Sequence, residues 1–222
     1  MGRAALRWSQ LGFGRTSSTS TTQTTARNLL GFKDGTMNLK AEEPDTIDQH
    51  VWVPADADPK AGWLAGGTYV VARRINMTIE TWDRQPLREQ ERVIGRTKAE
   101  GAPLSGGSEF SQPDFALKGR DDEPLVATDA HVRLVHPEQN SGVRMLRRGY
   151  NFVDGNNSLG RLDAGLFFIV YIRDPRTHFI PIQTKIGFGD ALSEYVQHTG
   201  SGLFAVPPGI AQGEYVGQAL FA

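Results

Sequence analysis

Cysteine is absent from this sequence of 222 residues. Disulfide bonds, cysteine-held iron–sulfur clusters, thiolate-ligated metal centres and cysteine nucleophiles are therefore excluded. Without thiols, the composition also gives no information about the redox state of the compartment. A chain of this length can still bury a substantial apolar core without covalent cross-links.

A positive charge excess and a long hydrophobic run are also missing. The 24 basic residues face 25 acidic ones and give a net charge of −1, so the chain lacks the basic surface expected of a general nucleic-acid binder. The longest apolar run, residues 164–172, is interrupted by Gly165 and is far shorter than the ~20 residues that a membrane helix requires. We therefore expect neither nucleic acid nor a membrane as a partner.

The most informative segment is residues 28–36, where Asp34 stands between Gly31 and Gly35. Glycine adopts positive φ angles at little cost, so the two glycines allow the chain to bend tightly around the acid. An aspartate in such a turn is also common for structural reasons, because its carboxylate can cap its own backbone. The pattern predicts a turn and leaves a structural and a catalytic role for Asp34 open.

Two further segments carry residues suited to chemistry. Residues 128–137 contain His131 and His136, and residues 144–151 contain Arg147 and Arg148. Imidazole is the commonest biological metal ligand and holds haem iron in globins and peroxidases, while arginine stabilises negative charge that develops beside it. Together with Asp34, these residues indicate a haem peroxidase. Any single histidine is more often structural, and the chain has five: His50, His131, His136, His178 and His198.

These segments resemble the dye-decolorizing peroxidase family. The Gly31-x-x-Asp34-Gly35 element is similar to the family signature, and the Ala-His-Val-Arg and Arg-Arg-Gly-Tyr steps are similar to its proximal histidine and distal arginine regions. The likeness continues through residues 161–171 and 195–209 and so covers nearly the whole chain. Members of this family usually have a first ferredoxin-like domain before the glycine–aspartate turn. This chain resembles only the C-terminal half.

The resemblance implies an α+β fold. It predicts a ferredoxin-like domain with an antiparallel sheet and peripheral helices, which forms the C-terminal half of a two-domain fold of the dimeric α+β barrel type. We expect residues 1–27 to be a leader that ends in a solvated loop, because residues 17–25 are all Ser, Thr or Gln. Residues 28–222 are then the haem-binding domain.

Local patterns predict individual elements within this domain. Strands are predicted at residues 68–77, 132–135 and 166–172, which are rich in β-branched or other apolar residues. Residues 87–94 predict a helix, since Pro86 precedes it and Gly95 follows it. Residues 114–124 read as a loop leading to His131. A second helix is predicted at residues 186–197, before a Gly/Pro-rich tail.

The resemblance assigns the central roles in the site. His131 is expected to be the iron ligand of haem b (iron protoporphyrin IX), with His136 as the alternative. Asp34 is expected to be the distal acid and base, and Arg147 the distal cation, with Arg148 as the alternative one residue away. The resemblance thus implies a haem held between His131 on one side and Asp34 with Arg147 on the other.

Other residues are expected to shape this site. Gly31 and Gly35 would form the turn against the cofactor, and Leu166 and Phe168, on one face of a predicted strand, would form the wall over the distal side of the haem. Asp163, just before that strand, would accept the hydrogen bond from the outer N–H of the ligand histidine.

The implied activity is oxidation of dyes, phenols or similar bulky aromatic donors by hydrogen peroxide. Asp34 would transfer a proton between the peroxide oxygens while Arg147 stabilises developing charge. Aspartate side chains ordinarily titrate near pH ~4, so we expect an acidic pH optimum. Relay sites for electrons from surface donors are sought among the tryptophans, namely Trp8, Trp52, Trp63 and Trp82.

Two other functions stay open. The chain could be a haem-binding protein that releases iron from haem, as a deferrochelatase does, or an inactive fragment that requires its N-terminal half. In either case we expect association with that half or self-association, because a lone half would expose an apolar sheet face. The resemblance also implies export, with any signal in the preceding part.

Overall fold

The computed structural model describes residues 5–57, 59–120 and 122–221. Its strands are β1 (Phe13–Arg15), β2 (Thr68–Met77), β3 (Leu146–Arg147), β4 (Tyr150–Asn156), β5 (Leu162–Ile172) and β6 (Val196–Val206). Its α-helices are α1 (Pro44–His50), α2 (Ile79–Asp83), α3 (Leu87–Ile94), α4 (His131–Val135), α5 (Pro175–His178) and α6 (Ile180–Gly189). Short 3₁₀ helices span Pro59–Leu64, Pro137–Gln139, Ala191–Glu194 and Gln218–Leu220.

The strands form one antiparallel sheet in the order β1-β4-β5-β2-β6, with β3 also paired to β5. Strand β4 pairs with the first half of β5, whereas β3 pairs with Val170 and Tyr171 further along it. Because β2 occupies the other edge of β5, β3 and β4 follow one another along the same edge. An antiparallel sheet with separate helices confirms the predicted α+β class.

Cross-strand pairs define two faces of this sheet. Phe168 lies opposite Arg73, and Val170 lies opposite both Val71 on β2 and Arg147 on β3, so these five side chains share a face. We call it the helix-covered face, because Arg73 donates a hydrogen bond to Gln183 of α6 and lies over the ring of Phe179. The short strand β3 thereby directs Arg147 to this same face.

The other side of the sheet, the opposite face, is covered in part by the N-terminal segment. The ring of Trp8 meets Phe167 edge-on at 5.6 Å, and Gln10 accepts a hydrogen bond from Arg74. The guanidinium of Arg74 lies 4.2 Å above the centre of the Phe152 ring. The segment that begins the chain therefore packs on the sheet.

Trp82 is the centre of the largest core cluster. Its side chain is fully buried, its Nε1 donates to the carbonyl of Leu30 at 3.0 Å, and its ring meets Phe32 and Tyr195 edge-on. Leu30 and Phe32 immediately precede the Asp34 turn. Burial of aromatic surface and one hydrogen bond thus anchor that turn to α2.

Several predicted elements are confirmed. Strand β2 covers residues 68–77 and β5 contains residues 166–172. Helix α3 covers residues 87–94; Pro86 precedes it, and Gly95 ends it in the left-handed conformation at φ 90°. Helix ends of this kind are favoured because proline lacks the unneeded N–H and glycine has no Cβ to clash.

Two assignments near the site were wrong. The predicted strand at residues 132–135 is helix α4, whose Val132 packs against the cluster of Phe115 and Val126. The predicted helix at residues 186–197 is three elements, since α6 ends at Gly189, a 3₁₀ helix follows, and β6 starts at Val196. Residues 198–206, expected to open a Gly/Pro-rich tail, pair with β2 instead.

The Ser/Thr-rich segment is irregular, as expected, but its ends are not solvated. Ser17 and Ser18 are buried, and Ser18 accepts hydrogen bonds from Asn38 and Lys40. Within the predicted leader, residues 1–4 lie outside the described residues, as does residue 222 of the predicted domain. No helix in the described part of the chain is long and apolar enough to cross a membrane.

Candidate active site

Asp34 lies in a tight turn, as the sequence predicts. Gly31 and Gly35 have φ angles of 82° and 95°, which are strained for any residue with a Cβ. A Cβ on Gly35 would also lie 2.7 Å from the Cα of Ser17. The backbone N–H of Asp34 donates to the carbonyl of Ala26 at 2.9 Å and closes the turn. Conformation and space together require glycine at position 35.

Asp34 and Arg147, 113 positions apart in sequence, form an ion pair. Arg147 Nη1 donates to Asp34 Oδ1 at 2.6 Å, and the two side chains are 29% and 10% exposed, respectively. Charge-assisted pairs that are largely shielded from water are stronger than exposed ones. Arg148, the alternative, makes no hydrogen bond to Asp34 in the described part of the chain, and its backbone N–H binds the carbonyl of Ile169.

Asn38, which the sequence analysis did not identify, fixes Arg147. Its Oδ1 accepts from the backbone N–H of Arg147 at 2.7 Å, and its Nδ2 donates to the carbonyl of the same residue at 3.0 Å. Asn38 is buried and lies just after the Asp34 turn. One amide side chain therefore joins the turn to β3 and sets the position of the guanidinium relative to the carboxylate.

The turn is also held from its other side by Glu109. Lys33 Nζ lies 2.5 Å from Glu109 Oε2, and Thr36 donates to Oε1 at 3.3 Å. Burial opposes ionisation of Glu109, but the hydrogen bonds from Lys33 and Thr36, together with the charge of Lys33, outweigh it and lower its pKa. Glu109 is therefore anionic near neutral pH. It binds Lys33 and Thr36, which lie on either side of Asp34, and so connects the turn to the loop around residue 109.

His131 is the first residue of α4 and has a buried carboxylate partner. Its Nδ1 lies 2.6 Å from Oδ2 of Asp190, whose side chain is 3% exposed. The other oxygen, Oδ1, accepts the backbone N–H of Leu192 at 2.9 Å and caps the 3₁₀ helix that follows α6. Because Nδ1 is engaged, the lone pair of the imidazole is directed to Nε2, as in metal-ligating histidines. Nε2 has no hydrogen bond to the described part of the chain.

The assignment of Asp163 as this carboxylate partner was wrong. Asp163 lies one residue into β5 and accepts hydrogen bonds from Arg74 and Asn76. Side chains alternate between faces along a strand, and Asp163 is directed with Arg74 to the opposite face. The carboxylate that binds His131 is instead Asp190, which directly follows α6.

His136, the alternative ligand, has a structural role. Its Nδ1 accepts the backbone N–H of Glu138 at 3.3 Å and caps the 3₁₀ helix Pro137–Gln139. Its ring meets Phe115 edge-on at 5.0 Å, and burial lowers its pKa. The side chain is 9% exposed, against 33% for His131, so His131 is the more accessible imidazole.

Leu166 and Phe168 share the helix-covered face, as their spacing predicts. Leu166 packs against the Trp82 cluster, and Phe168 packs against Val71 and Val170 with the ring of Phe179 nearby. Both side chains therefore lie on the same side of the sheet as Arg147. Their contact with a cofactor stays a prediction.

The residues of the site come from two parts of the fold, the sheet with the Asp34 turn and the helical segment around His131. Arg147 projects from the helix-covered face and binds Asp34, while His131 is held by Asp190 at the end of α6, the helix that covers this face. No group of three or more His, Asp or Glu side chains in the described residues could hold a bare metal ion. A single presented imidazole instead suits a metal whose other ligands come from a porphyrin.

Comparison with known proteins supports this interpretation. The family model described as "Dyp-type peroxidase, C-terminal" matches residues 25–211. The chain is 43% identical over 219 residues to a dye-decolorizing peroxidase of Thermobifida fusca, covering 97% of this chain and 50% of that protein. It is 41% identical over 221 residues to a deferrochelatase of Yersinia pestis, covering 97% of this chain and 50% of the relative.

A solved structure shows the same fold. The oxyferrous complex of DtpA from Streptomyces lividans is 45% identical, with a TM-score of 0.85, over 95% of this chain and 57% of that one. This chain spans about half the length of the curated relatives that it matches. The predicted ferredoxin-like α+β domain is confirmed as the C-terminal part of such proteins. The chain therefore belongs to the Dyp-type peroxidase family and corresponds to its C-terminal half.

Proposed function

We propose that this chain binds haem b through His131 Nε2 and provides the active site of a peroxidase that oxidises dyes, phenols or similar bulky aromatic donors. The observation that carries the proposal is the Asp34–Arg147 ion pair, held on the same side of the sheet as the His131–Asp190 pair. Haem, when bound, supplies the electrons that reduce the peroxide bond and regains them one at a time from the donor.

The chain's own contribution begins with proton transfer by Asp34. Oδ1 is occupied by Arg147, and Oδ2 has no hydrogen bond to the described residues. Oδ2 is therefore the atom that accepts a proton from one oxygen of hydrogen peroxide and returns it to the other, which leaves as water. The ion pair holds the carboxylate in position during both transfers.

Arg147 has two tasks in this scheme. Its guanidinium stabilises the negative charge that develops on the departing oxygen, and its ion pair with Asp34 fixes the acid. The paired hydrogen bonds between Asn38 and the Arg147 backbone hold β3 against the turn, so the cation is positioned before peroxide arrives. Such preorganisation lowers the barrier because no reorientation is needed during reaction.

A second candidate function is release of iron from haem. It is favoured by the relatives named deferrochelatase, of which the Yersinia pestis protein is 41% identical to this chain. The same imidazole would hold the haem, and the iron would then be the cargo. Oxidised dye is the product of the peroxidase reaction, and free porphyrin is the product of iron release. One assay can therefore measure both functions.

We also propose that a partner covers the exposed sheet edge. Strand β6 forms the end of the sheet, and its Leu203 and Phe204, which lie on different faces, are 53% and 52% exposed. Large exposed apolar side chains on an unpaired edge favour association. The N-terminal half found in the longer relatives is the proposed partner, with self-association as the alternative; export from the cytoplasm is proposed from family resemblance alone.

The test compares hydrogen-peroxide-dependent dye oxidation by haem-loaded wild type, Asp34→Asn and Asp163→Asn. Loss of the proton-transfer group should lower kcat by about 10²- to 10⁴-fold. Asp163→Asn is the matched control, since its carboxylate binds Arg74 on the opposite face. Wild-type activity should also be highest at acidic pH. Unchanged turnover in Asp34→Asn, or porphyrin release without dye oxidation, would contradict the peroxidase proposal.

A further inference from the structure

An open cavity of about 350 Å³ lies between the end of α1 and α5. Its lining includes His50, His178, Arg173, Asp174, Ser141 and Gln49. None of these residues takes part in the site built around Asp34 and His131. The cavity is therefore separate from that site.

Two buried histidines form a hydrogen-bonded pair at this cavity. His50 Nδ1 and His178 Nε2 lie 3.2 Å apart, and His178 Nδ1 lies 2.9 Å from the hydroxyl of Thr177. The residues are only 6% and 7% exposed, respectively. Three of the four ring nitrogens are thus engaged. His50 Nε2 is left without a hydrogen bond to the described residues.

Charged groups of both signs surround the pair, with Arg173 and Arg144 near His50 and Asp174 near His178. Burial, followed by the charges of His178, Arg144 and Arg173, lowers the pKa of His50 to about 4. The nearby carboxylates are committed elsewhere, because Asp174 binds Arg176 and the start of α5, and Glu43 binds Arg144 at 3.0 Å. Because the charge of Arg144 is balanced by Glu43, the Arg173 guanidinium beside two neutral imidazoles is the charge that favours an anion in the cavity.

Arg173 has donors suited to an anion. Its Nη1 donates to the carbonyl of Gln49 at 3.2 Å, which fixes the guanidinium at the cavity wall. No other hydrogen bond from this guanidinium to the described residues is seen, and it has no carboxylate partner there. Guanidinium groups bind oxyanions through two parallel N–H bonds, an arrangement that water or a halide cannot match.

We propose that this cavity is a binding site for a small oxyanion, held by the Arg173 guanidinium and His50 Nε2–H, with Ser141 and Gln49 as neighbouring polar groups. The hydrogen bonds from Thr177 through His178 to His50 determine which nitrogen of His50 carries a proton. If Thr177 donates to His178 Nδ1, then His178 Nε2–H donates to His50 Nδ1, and the proton of His50 resides on Nε2. The anion selects this tautomer, in which every ring nitrogen has a partner.

The test measures the titration of the histidine ring protons by NMR. Wild type is titrated with inorganic phosphate or nitrate, both of which remain anionic near the His50 pKa of about 4, and with chloride at matched ionic strength. An oxyanion that binds the His50 imidazolium about tenfold more tightly than the imidazole raises its pKa by about one unit. We expect a saturable rise in the His50 pKa with phosphate or nitrate and none with chloride. A comparison of the two oxyanions shows whether the site prefers a tetrahedral or a planar ligand.

Arg173→Gln should abolish the saturable response, whereas Arg161→Gln, an exposed substitution in the turn between β4 and β5, should preserve it. Ring signals of the other four histidines report whether each variant is folded. An equal response to chloride, a response that survives in Arg173→Gln, or no saturable response to either oxyanion would overturn the proposal. Haem is not required, so the result is independent of the peroxidase assay.

Discussion

His131 Nδ1 and Asp190 Oδ2 lie 2.6 Å apart, at the junction between α4 and the end of α6. The carboxylate is buried and its other oxygen is bound to the backbone of Leu192, so it cannot turn away from the imidazole. A fixed carboxylate on the outer nitrogen orients the ring and increases electron donation from the inner one. The pair is therefore the structural feature that supports the proposed ligation of haem iron by His131.

Asp190→Asn should weaken haem binding by about 10- to 100-fold, because the imidazole loses its anionic partner. The reduction potential of the bound iron should rise, since a less basic imidazole stabilises the ferric state less. Haem titration and spectroelectrochemistry measure the two effects. Asp163→Asn, the earlier candidate, should change neither. Equal effects of the two substitutions would argue against Asp190 as the partner.

Arg147→Gln should lower kcat/KM for hydrogen peroxide by about 10²- to 10³-fold, because one fixed donor for the developing charge is removed. Haem affinity should remain close to that of wild type, since Arg147 binds Asp34 and not His131. Arg148→Gln is the control and should keep most activity. Stopped-flow mixing with peroxide measures the rate. A larger loss in Arg148→Gln than in Arg147→Gln would reverse the assignment.

Gly35→Ala should destabilise the fold more than Gly213→Ala. The two glycines have similar φ angles, 95° and 92°, so alanine suffers similar backbone strain of about 1–2 kcal/mol at either position. Only at Gly35 would the new Cβ meet another group, the Ser17 backbone at 2.7 Å, whereas the space around Gly213 is open.

The extra overlap at Gly35 should add about 1–3 kcal/mol to the loss of unfolding free energy. Urea unfolding of the two variants and wild type measures the difference. Equal losses in the two variants would show that the turn yields to accommodate the methyl group, and that space beside Ser17 does not constrain Asp34.

Stability should fall as the pH decreases from about 6.5 to about 4. The pKa of His50 is lowered from 6.5 in the unfolded chain to about 4 in the fold, chiefly by burial. Between these values the unfolded state binds more protons, so acid favours unfolding, and the stabilisation is complete only above the unfolded pKa. His50→Gln should flatten this part of the dependence. Urea unfolding in chloride buffers tests it, and an unchanged slope in the variant would contradict it.

Motifs predicted the residues that the turn and β3 bring together. The glycine pattern predicted the turn at Asp34, whereas the family resemblance assigned its role and distinguished Arg147 from Arg148. The contact between Asp34 and Arg147 depends on Asn38, whose two hydrogen bonds to Arg147 are a tertiary feature with no local signature. The sequence shows that Asn38 lies close after the turn, but it does not show that Asn38 binds the backbone of Arg147.

The partner of His131 could not be found from spacing along the chain. Asp163 precedes a predicted strand, but strand alternation directs it to Arg74, while Asp190 reaches His131 through the course of α6 and its following 3₁₀ helix. Strand β6 was missed for a related reason. Its sequence is polar and glycine-rich and lacks clear alternation, and its pairing with β2 connects residues distant in sequence.

The most direct measurement is the absorption spectrum of the haem-loaded chain in wild type, His131→Ala and His136→Ala. We expect the histidine-ligated Soret band to be lost in His131→Ala, restored by added imidazole, and retained in His136→Ala. Retention of that band in His131→Ala, or its loss only in His136→Ala, would contradict the account, because the iron would not be held opposite the Asp34–Arg147 pair by the imidazole that Asp190 fixes.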